Sequence, residues 1–299
     1  MTLKELVDEF LAYIESVRVL SENTVDGYSR DLDKLMTFLT PTLDISTITR
    51  ESLMLCIGQL SLQKKSPASI NRFIAAVRTL FAYATRAQHI KVNPALDMKT
   101  VKMRKQMPHF MTDNEVNTLC DEPLNNELLW KTRDRAIFTM LFSSGCRVSE
   151  ICSLNIDDFQ NNYHSAIVTG KGRKQRYVYF DKVSREAISE YLIDRAKVIN
   201  DHNSNTKSFF INQKGEALSV SGLRYILNRY SGEEGTKHHI NPHAFRHTFA
   251  THMLGNGADV RMVQEMLGHS SISTTQRYTH ITTERLVEIY NKAFPHGRN

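Results

Sequence analysis

Apolar residues return at a helical interval from the first residues of the chain. Leu3, Leu6, Val7, Phe10, Leu11 and Ile14 follow an i, i+3, i+4, i+7 rhythm, and Val25, Tyr28, Leu32, Leu35, Met36 and Leu39 repeat it, which predicts two opening amphipathic helices. A third is expected over 49–60. A fourth begins at Ser66-Pro67, a capping residue followed by proline at the first helical position, and buries Ile70, Phe73, Ile74, Val77, Leu80, Phe81 and Ala84. At about 100° per residue, Arg72, Thr79, Tyr83 and Arg86 fall together on its opposite face, beside the small Ala75 and Ala76. Small residues flanked by Arg, Thr and Tyr suit a DNA major groove. The competing reading is an ordinary solvated helix face.

Helical rhythm then lapses over 89–107, which contains Asn93-Pro94 and collects Lys102, Arg104 and Lys105, so this stretch reads as a basic linker lying against a phosphate backbone. It divides a helical domain, 1–88, from a second domain, 108–299. Thr112 and Glu115 form a capping-box signature that starts the second domain, and a buried helix over 128–144 stops at Gly145, just before Arg147-Val-Ser-Glu150. Residues 166–169 and 177–180 are rich in strand formers and are joined by Gly170-Lys171-Gly172-Arg173-Lys174-Gln175-Arg176, a β-hairpin with a basic tip. Helices over 183–199 and 219–230 follow, with a short strand at 209–211. Asn241-Pro242 opens another helix, so His243 and Arg246 share the face of its first turn. Asp259 and Gly268 then bound a short helix carrying Val260, Val263, Met266 and Leu267, which leaves His269 on a turn. Tyr278 lies in a polar segment with little to bury it. A last apolar stripe of Leu286, Ile289, Tyr290 and Ala293 predicts a terminal helix over 282–293.

Composition changes this picture little, but charge changes it a good deal. The chain has 299 residues, is 41% hydrophobic and 23% charged, and carries a formal charge of +6, as a two-domain globular protein can. No apolar run approaches the roughly 20 residues of a membrane span, and the first ten residues carry acids where a leader would carry bases, which predicts a cytosolic protein. Four cysteines without a CxxC pair point to neither a disulfide framework nor a zinc site. Residues 1–60 hold five bases against ten acids, whereas 61–107 hold ten bases against Asp97 alone. So local an excess points to a polyanion laid along part of the molecule.

Arg147, Lys171, His243, Arg246, His269 and Tyr278 thus stand at positions that local structure presents. Singly, each has an ordinary structural explanation. His243 and His247 have the spacing of a zinc helix, but Ala244 stands where a metalloprotease of that type needs its glutamate. The hairpin lacks the GxxxxGK[ST] spacing of a nucleotide loop.

Taken together, Gly145-Cys-Arg147-Val-Ser-Glu150, His243-Ala-Phe-Arg246-His-Thr-Phe-Ala-Thr-His252, Leu267-Gly268-His269 and Thr274-Thr-Gln-Arg-Tyr278-Thr-His280 resemble the tyrosine recombinase (phage integrase) family, and within it the bacterial Xer recombinases. Cys146 departs from the leucine usual there. The resemblance covers nearly the whole chain. It implies a mainly α fold with a small β-sheet, in which an N-terminal four-helix, SAM-like core-binding domain and a mixed α/β catalytic domain form a C-shaped clamp on double-stranded DNA. It implies Tyr278 as nucleophile, Lys171 as general acid, His243 as general base, His269 as a phosphate donor, and Arg147 and Arg246 as charge stabilisers, with no metal or other cofactor. It further implies a cyclic tetramer with a second Xer-type recombinase, a septum-associated DNA translocase as partner, a terminal helix docked on a neighbouring subunit, and resolution of chromosome dimers at division. The alternatives are the integrase or resolvase of a mobile element, a type IB topoisomerase, and a DNA-binding regulator using the helices over 259–276.

Overall fold

The structure, a computed structural model, describes residues 1–103, 111–170, 172, 174–232, 235–236, 242–268 and 283–294. The chain divides into two compact units, Met1–Gln106 and Met107–Asn299.

The first unit is a helical bundle of α1 (Leu3–Ser16), α2 (Glu22–Leu39), α3 (Arg50–Leu62) and α4 (Pro67–Arg86). Local chemistry sets the starts. Thr2 caps α1 in a reciprocal pair with Glu5, Thr49 does the same for α3 with Ser52, and Ser66 caps α4 ahead of Pro67. The expected stripes are buried, with Leu3, Leu6, Val7, Phe10 and Ile14 of α1 meeting Ile70, Phe73, Ile74, Val77, Leu80, Phe81 and Ala84 of α4 in one core. The stretch after α4 is held to this unit. Ala95 and Met98 are fully buried, and the Asn71 side chain both donates to the Val101 carbonyl (3.0 Å) and accepts from its N–H (2.7 Å).

The second unit contains α5 (Asp113–Asn125), α6 (Lys131–Ser144), α7 (Val148–Ser153), β1 (Phe159–Gln160), β2 (Ser165–Thr169), β3 (Gln175–Tyr179), α8 (Lys182–Asp201), α9 (Val220–Ser231), α10 (Pro242–Gly255), α11 (Val260–Leu267) and α12 (Thr283–Ala293). Helix α6 is its axis. It is buried on every side, from Ala136 and Ile137 through Phe142, Ser143 and Ser144, and α5, α8 and α10 pack around it. The three strands form one antiparallel sheet in chain order, with Ser165 opposite Tyr179 and Thr169 opposite Gln175. Residues 209–211 do not form the expected strand. They are a buried extended turn held by single bridges at Asn155–Ser208 and Ile211–Ala217, with Tyr191 donating to the Phe209 carbonyl (3.1 Å) and accepting from the Ile211 N–H (3.0 Å).

The terminal helix α12 docks on its own unit. Tyr290, Ala293 and Phe294 are buried against α10 and α6, where Phe294 meets Phe142 and Phe249. The resemblance implies docking on a neighbour; within this chain the aromatic rings of Phe142 and Phe249 cover the Phe294 end of the helix, and Leu286 and Ile289 are half-buried.

Candidate active site

Four elements bring three arginines together around Glu150, two of them bonded to its carboxylate. Helix α6 ends at Gly145 in the left-handed region (φ 60°), and the chain turns there so that Arg147 stands at the cap of α7. The Arg147 N–H donates to Oε2 of Glu150 (2.7 Å), and its Nη1 donates to Oε1 (2.8 Å). Strand β3 contributes Arg176, whose Nη1 and Nη2 donate to Oε1 and Oε2 of the same carboxylate (2.9 Å each) and whose Nε donates to the Met266 carbonyl (2.7 Å) at the end of α11. Helix α10 contributes Arg246, which donates through Nη1 to the Gly145 carbonyl (2.9 Å) and through Nη2 to the Leu267 carbonyl. Glu150 is 3% exposed, whereas the Arg147 side chain is 36% exposed.

Three guanidiniums against one carboxylate leave an excess of two positive charges around a partly open surface. The Glu150 carboxyl is pushed up by burial, but the bonds and charge of Arg176 and the N–H of Arg147 outweigh that and hold it below the usual glutamate value. Burial, together with the charges of Arg147 and Arg176, pushes the Arg246 guanidinium down to about 10. It remains a cation at neutral pH, and an anion bound here would relieve it. Such an excess of positive charge suits an anion, and would stabilise one that gains negative charge as it reacts.

His243 is exposed in the first turn of α10, one turn before Arg246. Lys171, His269 and Tyr278 lie outside the described residues, as do Arg104, Lys105 and the expected cap Asn241. Beside Lys171, β2 ends at Thr169 and β3 begins at Gln175, and just before His269 α11 stops at Gly268 in the left-handed region (φ 64°). Arg176, which the sequence places only in a basic hairpin tip, is the one member of the cluster that sequence reasoning did not single out. Its partners lie 26 and 90 residues away, and no local spacing signals them. Cys146 is 1% exposed and fills an apolar position; burial pushes its thiol up to about 11.

On α4 the exposed arc runs through Arg72, Ala75, Arg78, Ala82 and Arg86. Ala76 is buried, and Tyr83 is half-buried beside Tyr13 and Phe10, its phenol donating to Glu9 (2.5 Å). Arg72 is engaged within the protein, with Nε and Nη2 donating to the buried carboxylate of Asp31 (2.7 and 3.1 Å), which Lys34 also contacts (2.6 Å). Thr79 donates to the Ala75 carbonyl (2.7 Å), and Lys102 is exposed. The sequence reading did not include Arg78.

Among the described residues no group of three or more His, Cys, Asp or Glu side chains is placed to hold a metal ion, and no helix is long and apolar enough to cross a membrane.

In chain order, an N-terminal helical bundle is followed by a mostly helical unit with a small sheet and an arginine-rich cluster, an organisation that fits a DNA strand-transfer enzyme. The chain belongs to the phage integrase family: residues 109–285 match that family's model, and residues 7–88 match the phage integrase N-terminal SAM-like domain. It is similar to the tyrosine recombinase XerC of Treponema denticola, at 38% identity over 99% of this chain and 100% of the relative, and to the tyrosine recombinase XerD of Oceanobacillus iheyensis, at 35% identity over 98% and 99%. Its fold is shared with a lambda integrase tetramer bound to a Holliday junction (TM-score 0.70, 16% identity, 94% of this chain and 81% of that one) and with the Tn1549 transposon integrase in complex with circular intermediate DNA (TM-score 0.68, 18% identity, 95% and 97%). The protein is a site-specific tyrosine recombinase, an enzyme that cuts and rejoins DNA.

Proposed function

We propose that Arg147, Lys171, His243, Arg246, His269 and Tyr278 form the catalytic set. The hydroxyl of Tyr278 attacks the scissile phosphorus as His243 takes its proton, the bond from phosphorus to the 5′-oxygen breaks, and Lys171 protonates that oxygen. The product is a 3′-phosphotyrosyl link that keeps the energy of the broken bond, so rejoining needs no ATP. Arg147, Arg246 and His269 take the charge that grows on the non-bridging oxygens. The observation that carries this reading is the convergence of Arg147 and Arg246 at the α6–α7 corner, with more positive charge than Glu150 neutralises.

Around that chemistry we place a core-binding domain over 1–88, a basic linker over 89–107 and a catalytic domain over 108–299, closing as a clamp on DNA. Arg72, Thr79, Tyr83, Arg86, Lys102, Arg104 and Lys105 are its DNA contacts. Strand exchange runs through a Holliday junction in a cyclic tetramer with a second Xer-type recombinase, under a septum-associated DNA translocase, in the cytoplasm, and resolves chromosome dimers at division. The near full-length likeness to relatives named XerC and XerD supports this role.

The test starts by sequencing DNA fragments that the protein protects, then building a duplex nicked beside the cleavage point so that the cut fragment is lost and the adduct accumulates. The full chain is expected to form a covalent adduct that Tyr278→Phe abolishes while binding persists. Lys171→Ala should cleave slowly, and a 5′-bridging phosphorothiolate, whose leaving group needs no proton, should restore much of its rate. Adduct formation by Tyr278→Phe would overturn the nucleophile assignment.

A further inference from the structure

Glu150 is shared unequally. Arg176, whose side chain is 11% exposed, grips both carboxylate oxygens, whereas the more open Arg147 spends one side-chain hydrogen bond on Oε1, the same oxygen that Arg176 Nη1 holds. Two cations therefore compete for one buried anion. The inner, bidentate one has nowhere else to go, because its Nε is also fixed to the Met266 carbonyl. Gly268 is pressed against it: a Cβ there would lie 3.2 Å from Arg176 Cδ.

Resting on the assignment of Arg147 as a catalytic residue, we propose that Arg176 is a positioning residue for the recombination reaction: it neutralises Glu150 permanently, so that Arg147 can leave that carboxylate for the scissile phosphate. The physical reason is the depth of the carboxylate. A buried anion deprived of its bidentate partner must be compensated by whichever cation is left. Without Arg176 that cation is Arg147, and Arg147 bound tightly to Glu150 is lost to the phosphate. The Nε bond adds a second task, since it ties the end of α11 to the same carboxylate immediately before His269. One guanidinium thus sets the position of Glu150, the freedom of Arg147 and the end of α11.

The experiment compares single-turnover cleavage of the nicked duplex, at saturating enzyme, by the full-length chain and by Arg176→Met, Glu150→Gln and the double variant. Arg176→Met is expected to slow cleavage by about 10-fold or more while DNA affinity stays within about 3-fold, because the loss falls on the chemical step. Removing the charge of Glu150 in that background should release Arg147, so the double variant is expected to cleave about 5-fold or more faster than Arg176→Met alone, a non-additivity that loss of packing does not produce. A double variant no faster than Arg176→Met overturns the proposal. If Arg176→Met fails to melt cooperatively, Arg176→Lys, which keeps the charge but not the fork, is compared with and without Glu150→Gln by the same criterion. Absence of any adduct from the full-length chain would overturn the proposed function itself, whereas a normal adduct with additive losses would overturn only the role of Arg176.

Discussion

The phenol of Tyr290 donates to the main-chain oxygen of Ser143 over 3.0 Å, across 147 residues of sequence, and ties the terminal helix to the central helix of its own unit. The ring is 3% exposed and stacks on Phe294 (5.2 Å between centroids, 7° between planes), which in turn meets Phe142. Tyr290→Phe should cost about 1–3 kcal/mol, because it leaves a buried acceptor without its donor. Ending the chain after residue 283 should cost more, since it uncovers the aromatic seat. Urea unfolding of the DNA-free protein reads both effects. An unchanged midpoint in the truncated chain would mean that α12 adds nothing to its own unit in solution.

Much of this fold was legible because amphipathic helices announce themselves. The stripes of α1, α2 and α4 lie where the i, i+3, i+4 pattern puts them, and Asp259 and Gly268 bound α11 as cap and stop. Helix α6 was legible only through its length and its glycine stop, since burial on every side erases periodicity. Strand β1, two residues long, is too short for alternation to register. The long-range polar pairs were invisible: Arg72 with Asp31, Tyr83 with Glu9 and Arg176 with Glu150 join residues 41, 74 and 26 apart. The roles of Lys171, His243 and His269 came from resemblance to a family, and spacing alone supplied only their presentation on turns and helix ends.

Gly145 is the hinge on which the arginine cluster depends. Its φ of 60° already disfavours a side chain, and a Cβ there would lie 2.7 Å from a ring carbon of Phe249 and 2.9 Å from a methyl of Leu267. Gly145→Ala should therefore destabilise the fold by about 2 kcal/mol or more. It should also shift the carbonyl that anchors Arg246, so cleavage should fall further than the loss of folded protein explains. Thermal melting and single-turnover cleavage on the same preparation check this, and wild-type values in both would remove the glycine from the argument.

The arginines of α4 should separate by mechanism. Arg72 holds a carboxylate that is almost fully buried, so Arg72→Ala should lower stability by about 1–3 kcal/mol before any effect on DNA is counted. Arg78 and Arg86 are exposed, and their alanine variants should melt like the parent. A phosphate contact by either would weaken cognate and scrambled duplexes alike and reduce the salt slope by about one, whereas a base contact would remove about 1–3 kcal/mol of discrimination. Binding titrations at several salt concentrations distinguish these, and unchanged affinity for both duplexes would make this arc plain solvent cover.

The same Asp31 should set part of the acid limb of stability. Burial pushes its carboxyl up, but hydrogen bonds and charge from Arg72 and Lys34 outweigh burial and leave it below the ordinary aspartate value near 4. A carboxylate depressed in the folded state stabilises the fold above its unfolded value, and that contribution is lost as pH falls through the depressed value, because the unfolded chain takes up the proton first. Glu150, also depressed, acts in the same sense. Asp134 acts in the opposite sense: burial raises its carboxyl despite the adjacent Arg133, so it adds no loss in this window. Asp31→Asn should therefore be less stable than the parent at pH 7 and should lose less on going from about pH 5 to pH 3, so that the two melting curves converge. Melting temperatures measured across that range decide it; curves that stay parallel would show that the ion pair on Asp31 does not couple to folding.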